Sequence, residues 1–182
     1  MNMLTYFLKG KTQYQLHSPF VFNMYNEVLL PKVNVSAIHT RNLSRNDRRN
    51  AAIIFKIADY YGIKAIAFER NTLGNDFAHW LECDLSQLSK TEVVEYMGGG
   101  VGENTILLCG ADAFFKFKEQ TDSHFPHSSI VVVPNVHKTK EKERQWLEIQ
   151  NDKSNILILD LYTMGVVFYR KELSEERYTL LI

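Results

Sequence analysis

His137 is the side chain whose position in the sequence most favours chemistry. It follows an apolar run, residues 129–133, and a short Pro134-Asn135-Val136 connection, so it lies just beyond a predicted strand. Open α/β sheets hold ligands at the carboxyl ends of their strands, and an imidazole there can act as a general base near neutral pH. The alternative is structural: His137 caps the helix that begins near residue 139 or binds a backbone carbonyl. The structural role is favoured, because the sequence identifies no carboxylate that would fix the tautomer.

Residues 98–102 read Gly-Gly-Gly-Val-Gly and raise the question of a nucleotide-binding loop. Such a loop needs a helix directly after it, because the free N–H groups of the helix N-terminus bind the phosphates. Here a predicted strand follows at residues 105–109, so a turn is the favoured interpretation. His124 and His127, which flank Pro126, fit a surface loop better than a metal site. The mixed charges of residues 138–144 fit a solvated helix face.

The composition restricts the class of protein. The chain has 182 residues, of which 45% are hydrophobic and 23% charged, as expected of one globular domain. Its 21 basic and 21 acidic side chains cancel, so we expect no nucleic-acid partner and no membrane partner. Cys83 and Cys109 are too few for a disulfide framework, and neither a signal peptide nor a membrane-spanning run is evident. We therefore expect a cytoplasmic protein.

The order of the predicted elements indicates an α/β fold. A helix is expected to begin at Ser44, with Asp47 in its first turn, and to end at Gly62. Buried-strand patterns follow at residues 64–68, 92–97, 105–109, 129–133 and 155–161, and helix-like segments lie between them at residues 76–81, 112–120 and 140–150. This alternation is typical of a mostly parallel sheet with helices on both faces.

The end of the chain breaks the alternation. Residues 157–161 and 166–170 are joined by a turn too short for a parallel crossover, so they predict an antiparallel hairpin. A last strand is expected at residues 178–182. We expect a single domain, in which residues 1–43 form a helical extension and residues 44–182 form the core.

The helical extension raises the question of a partner. Residues 19–30 carry apolar side chains on more than one helical face, so this helix must be covered on more than one side. A first helix at residues 4–8 or a second copy of the chain could cover it. We expect a homodimer that makes contact through Tyr6, Phe7, Phe22 and Tyr25, because apolar patches mark interaction sites and two-fold dimers are the commonest assemblies.

Three stretches resemble one protein family. They are residues 14–22, with a His-Ser-Pro-Phe-Val-Phe run, residues 131–140 with Trp146 after them, and residues 160–170. In content and order they are similar to the opening, the strand-five segment and the terminal hairpin of a bacterial group of class I S-adenosylmethionine-dependent O-methyltransferase-like proteins. The resemblance covers both ends of the chain. It implies a Rossmann-like methyltransferase sheet with a C-terminal antiparallel hairpin.

The resemblance also implies where S-adenosylmethionine would bind. The family's first motif, an acidic residue followed by spaced glycines, corresponds to Glu69, Asn71 and Gly74, and Gly110 would lie beside the cofactor after strand four. Asn71 stands where the first glycine belongs and adds a side chain where the ligand should lie. Arg70 adds a long cation next to it.

Two further family features are missing. The acid that ends strand two and grips the ribose has no clear counterpart, because Glu82 and Asp84 fit solvated surface equally well. One strand-helix unit before residue 105 is also absent. At the metal positions the chain has Cys109, Pro134 and Asn135 in place of aspartates. Since hard divalent cations need oxygen ligands, above all carboxylates, we expect no metal.

These departures predict a degenerate methyltransferase relative, a catalytically inactive pseudoenzyme that acts as a binding or interaction protein. The alternative is an active, metal-independent methyltransferase on a small molecule, with His137 as the base and Glu69, Gly74 and Gly110 around the cofactor. A third possibility is a Rossmann-like module that binds another small ligand in the same crevice.

Overall fold

Three helices precede the sheet in the computed structural model, which describes residues 3–31, 43–85, 91–98, 101–120, 126, 128–170 and 172–182. They are α1 (Met3–Lys9), α2 (Pro19–Met24, extended by the π-helical turn Tyr25–Leu29) and α3 (Arg45–Tyr60). A short 3-10 turn, Gln13–Gln15, lies between the first two. None of the described helices is long and apolar enough to cross a membrane.

The ends of α3 are set by local side-chain chemistry. Ser44 Oγ accepts a hydrogen bond from the Asp47 N–H at 3.2 Å, which satisfies one of the free donors of the first turn. At the other end Gly62 has a φ of +60°, and the Ile63 N–H donates to the Ala58 carbonyl at 2.9 Å. Glycine takes this left-handed conformation without a Cβ clash. The predicted start and end of the helix are confirmed.

Seven strands form one sheet in the described part of the chain. In spatial order they are β2 (Glu92–Glu95), β1 (Ala65–Phe68), β3 (Thr105–Leu108), β4 (Ser129–Pro134), β6 (Met164–Tyr169), β5 (Leu157–Asp160) and β7 (Glu176–Thr179). All neighbouring pairs are parallel except those of β6, which is antiparallel to both β4 and β5. The predicted mostly parallel sheet and the antiparallel hairpin are confirmed.

Helices cover both faces of this sheet. The remaining ones are α4 (Asn75–Trp80, extended by the π-helical turn Leu81–Leu85), α5 (Ala111–Gln120) and α6 (Lys140–Asn151). Side chains alternate along each strand, so Leu108 packs in one core with α2, α3 and α4, while Leu107 packs in the other with α5 and α6. The strands β3, β4, β5 and β6 are buried along their whole length.

The topology brings several loops to one edge of the sheet. Because β1, β3, β4 and β5 point the same way, the residues that follow them lie at the same edge, and β6 begins there. Between β1 and β3 the described chain contains one helix, α4, and one strand, β2. The segment at residues 11 and 180 adds a parallel bridge, in which the Lys11 N–H donates to the Thr179 carbonyl at 2.7 Å.

Candidate functional site

A buried carboxylate holds His137 at this edge of the sheet. His137 Nε2 lies 2.8 Å from Asp160 Oδ2, and the Trp146 Nε1–H donates to the same oxygen at 3.0 Å. The other oxygen, Oδ1, accepts the backbone N–H of Tyr162 at 2.9 Å. The Asp160 side chain is 2% exposed and the His137 side chain 5%. Because Nε2 faces the carboxylate, the neutral tautomer with its proton on Nε2 is the one that lets His137 donate to Asp160.

Asp160 is the residue that the sequence reasoning missed. It lies 23 residues after His137, and the two meet because β4 and β5 point the same way and end at one edge of the sheet, with β6 between them. The available signal was a carboxylate at the end of an apolar strand. The expectation that His137 has no carboxylate partner is therefore wrong. Its expected role as a helix cap is wrong as well, because Thr139 Oγ1 accepts the capping hydrogen bond from the Lys142 N–H at 3.2 Å.

Aromatic rings enclose the His137 side chain. Its ring stacks on Tyr162 with centroids 5.6 Å apart, and Tyr6 of α1 packs edge-on at 6.3 Å. The Tyr6 hydroxyl oxygen lies 3.0 Å from the Asp160 carbonyl oxygen, and burial raises the pKa of that phenol far above its ordinary value. His137 Nδ1 is buried and has no hydrogen-bond partner in the described part of the chain. In this conformation a substrate cannot reach the only nitrogen that could accept a proton.

A polar crevice of about 450 Å³ opens beside the cluster, between the N-terminus of α3, the loop after β1 and the loop after β4. We call it the polar crevice; its lining residues are Ser44, Asn46, Asp47, Thr72, Gly74, Asn135, His137, Lys138, Lys142, Tyr162 and Thr163. A small apolar recess below it shares Asp47, Gly74 and Asn135. His137 and Gly74, predicted for different roles, therefore line one space.

Glu69 and Asn71 line a second space, of about 340 Å³, at the ends of β1 and β2. We call it the acidic crevice; its lining residues are Glu69, Arg70, Asn71, Glu95, Tyr96, Met97, Gly98, Ala113, Lys116 and Phe117. Its volume lies within the range of small-molecule sites, which is roughly 300–1,000 Å³. Of the five predicted site residues, His137 and Gly74 line the polar crevice, Glu69 and Asn71 line the acidic crevice, and Gly110 lies in the loop after β3.

Glu69 and Gly110 are in direct contact. Glu69 Oε2 accepts the Gly110 N–H at 3.1 Å and also the Thr72 hydroxyl, so this carboxylate ties the loop after β1 to the loop after β3. A Cβ at Gly110 would lie 2.8 Å from Thr72 Oγ1, so a side chain there would push the loops apart. The close packing of the two loops therefore accounts for a glycine at position 110, whether or not a ligand binds.

Cys109 and Asn135, at two of the positions where the resemblance expects metal-binding aspartates, have distinct environments in the structure. Cys109 is fully buried, and that burial, with the nearby Glu69 charge, raises the pKa of its thiol well above the usual range. Asn135 has a left-handed φ of +60°. Among the described residues, no three or more His, Cys, Asp or Glu side chains converge as a metal site. His124, His127, Gly99 and Gly100 lie outside the described residues.

Of the four aromatic residues expected at the dimer contact, two are buried within the chain and two are exposed. Tyr6 and Tyr25 are buried within the chain, at 5% and 4% exposure, and their hydroxyls donate to backbone carbonyls of residues 180 and 181. Phe7 and Phe22 are exposed, at 54% and 43%. A second copy could therefore contact the two phenylalanines, and the homodimer stays a prediction.

The chain was also compared with models of protein families, with curated proteins and with solved structures, and none of them matches it.

Proposed function

We propose that this chain is a methyltransferase-like protein whose S-adenosylmethionine site is closed by its own side chains, so that it binds a small molecule without transferring a methyl group. No metal ion takes part in this role. The observation that carries the proposal is the pairing of Arg70 with two carboxylates at the acidic crevice.

The sheet supports a relationship to the methyltransferase outline. It is mostly parallel, it is covered by helices on both faces, and it ends in the antiparallel hairpin β5–β6. The last residue of β2 is Glu95, which lies opposite Phe68 of β1. It thus supplies an acid at the end of the second strand, where the resemblance expects one. Glu95 is therefore our candidate for this acid, in place of Glu82 and Asp84 on the preceding helical turn.

Arg70 engages that acid. Its Nε–H donates to Glu95 Oε2 at 3.0 Å, a second guanidinium N–H donates to Glu82, and the guanidinium lies 5.6 Å from the centroid of the Phe68 ring. The hydrogen bond to Glu95 is the largest cause that raises the pKa of Arg70. A ribose would have to displace this guanidinium before its hydroxyls could reach Glu95. The residues therefore do not fit a bound S-adenosylmethionine.

Calorimetry with S-adenosylmethionine and S-adenosylhomocysteine tests the proposal. We expect dissociation constants of about 1 mM or weaker, which corresponds to about −4 kcal/mol. The variant Arg70→Ala frees Glu95 and should bind S-adenosylhomocysteine more tightly than the unaltered chain. Lys116→Ala is the matched control, because it removes a cation from the same crevice and frees no carboxylate partner of Arg70. Micromolar affinity of the unaltered chain would contradict the proposal.

One observation favours the second candidate, an active and metal-independent methyltransferase. The pairing of His137 with Asp160 is the arrangement of a histidine base whose tautomer is fixed by a carboxylate. If micromolar cofactor binding were found, His137→Ala should remove most turnover and leave cofactor affinity unchanged, as expected of a base. The buried Nδ1 counts against this candidate, because a base must touch the group that it deprotonates.

A further inference from the structure

Two lysines with a free positive charge face the polar crevice. Lys138 and Lys142 both line it; Lys138 is exposed and Lys142 half-buried. In the described ranges neither forms an ion pair within 4.0 Å, whereas Arg144 on the same helix pairs with Glu141 and Glu148. Two ammonium groups without a carboxylate at one wall make that wall attractive to an anion.

The helices add to this positive field. α3 begins at the crevice, since its N-cap Ser44 is a lining residue, and α6 begins between the two lysines, with Thr139 as its N-cap. The N-terminus of a helix carries a partial positive charge, so both helices favour an anion here. The one acid in the lining, Asp47, accepts the Ser44 hydroxyl at 2.6 Å and keeps its charge, so the lining carries two lysines against one carboxylate.

The His137 ring forms part of the inner wall of the crevice. Its side chain is only 5% exposed, because Nε2 faces Asp160 and Nδ1 is buried. Two neighbours of His137 in the lining, Asn135 and Tyr162, hold left-handed backbone conformations, with φ of +60° and +66°. Conformations of this kind cost free energy and concentrate at binding sites.

The rest of the lining supplies neutral hydrogen-bonding groups. Tyr162 contributes a hydroxyl, Asn46 and Asn135 contribute amides, and Thr72 contributes a hydroxyl that can only accept, because it already donates to Glu69. Such groups recognise hydroxyls on a ligand, whereas an aromatic or aliphatic ligand would leave them unpaired at a cost in free energy. The crevice therefore combines a wall with two lysines and a polar floor whose one charged residue is Asp47.

We infer that the polar crevice binds a small hydroxylated anion, an organic phosphate or carboxylate, with its charged group between Lys138 and Lys142 and its hydroxyls on the amide and hydroxyl groups of the floor. The inference rests on the proposed role as a small-molecule-binding protein and names the class of ligand. It does not depend on S-adenosylmethionine, which concerns the acidic crevice.

Three probes of similar size test the inference: D-ribose 5-phosphate, D-gluconate and uncharged D-ribose. Calorimetry at low ionic strength should show binding of at least one of the two anions and none of D-ribose, and the affinity should fall as salt screens the lysines. Binding of the phosphate alone or of the carboxylate alone assigns the charged group. Amide shifts in NMR spectra should localise the binding anion to Asn135, Tyr162 and Thr163.

Matched variants separate this site from general charge attraction. The double variant Lys138→Gln/Lys142→Gln should weaken anion binding at least tenfold, since each hydrogen bond to a charged group contributes about that factor. The control double variant Lys140→Gln/Lys153→Gln changes two exposed lysines outside the lining and should bind as the unaltered chain does. Equal loss in both variants would overturn the inference, as would binding of D-ribose as tight as that of the anions, or no binding of either anion.

The two proposals fail separately. If neither anion binds but S-adenosylhomocysteine remains at millimolar affinity or weaker, the ligand class is wrong and the closed cofactor site stands. If an anion binds at the polar crevice while S-adenosylhomocysteine binds at micromolar concentration, the closed cofactor site is wrong and the ligand class stands.

Discussion

The substitution Asp160→Asn should cost a large part of the stability of the fold. The amide keeps the shape of the side chain, and its oxygen can still accept the Tyr162 N–H. In place of Oδ2, however, it presents an NH₂ group to Trp146 and His137, whose nitrogens lie 3.0 and 2.8 Å from that oxygen. The Trp146 N–H is always a donor and loses its acceptor. His137 can adapt by changing tautomer, but this places a proton on the buried Nδ1.

The magnitude follows from these two groups. A buried donor that loses its acceptor costs about 1–3 kcal/mol, so one or two of them give a loss of about 1–6 kcal/mol. The free energy of unfolding of a typical domain is only about 5–15 kcal/mol. With a urea slope of about 2 kcal/mol per molar, the unfolding midpoint should fall by about 0.5–3 M.

Urea unfolding followed by far-UV circular dichroism measures the change. Glu148→Gln is the matched control: it makes the same carboxylate-to-amide change at an exposed ion pair with Arg144, which contributes less than about 1 kcal/mol. In a double-mutant cycle, Trp146→Phe should cost less in the Asp160→Asn background, because it removes the unsatisfied donor. An unchanged midpoint for Asp160→Asn, or equal costs of Trp146→Phe in both backgrounds, would refute the hydrogen-bonded cluster.

Four further predictions follow from the packing and the charges. Gly165→Ala should lower the free energy of unfolding by about 1–3 kcal/mol, because its Cβ would lie 2.1 Å from the Trp146 ring; an unchanged urea midpoint would contradict this contact. At pH 8 a thiol reagent should modify Cys83 and spare Cys109 until the chain unfolds, because burial raises the Cys109 pKa; the Cys83→Ser variant should then be inert. Burial raises the pKa of three phenols, those of Tyr6, Tyr61 and Tyr169, above the ordinary 10.0. The unfolded state therefore ionises first, so the free energy of unfolding should be unaffected below pH 10 and should fall above it by about 4 kcal/mol per pH unit for the three groups together. Urea midpoints measured between about pH 9 and 11 test this decrease. Millimolar Mg²⁺ or Ca²⁺ should leave the melting temperature unchanged, and a saturable rise would reveal a site that the carboxylates do not suggest.

The elements of the fold were predictable because their signals are local. The buried strands β1 and β3 are short apolar runs, and each begins and ends within one residue of its predicted bounds. The helix after Ser44 is delimited by its own cap and by Gly62. Periodicity and caps lie within one segment, so the sequence alone contains them.

The contacts of the candidate site were not predictable, because they depend on strand order. The pairing of His137 with Asp160 depends on β4 and β5 ending at the same edge two places apart in the sheet, which spacing alone does not fix. In the same way Glu95 became a candidate only when β2 paired in register with β1. The direction taken by the Arg70 side chain depends on both the strand order and the register of β2 with β1. Sequence reasoning identified which loops meet at the edge, and tertiary pairing decided which side chains touch.

The bonds between α1 and the last strand have a consequence for the order of folding during synthesis. The hydroxyl of Tyr6 reaches the backbone of residue 180, a separation of 174 residues, and the bridge at Lys11 spans a similar length of chain. On the ribosome, α1 therefore emerges before β7 but cannot form these bonds until β7 and residue 180 have been translated. During that interval its exposed Leu4, Leu8 and the still uncovered Tyr6 are available to chaperones. A nascent chain stalled before residue 176 should keep this helix undocked and sensitive to proteases.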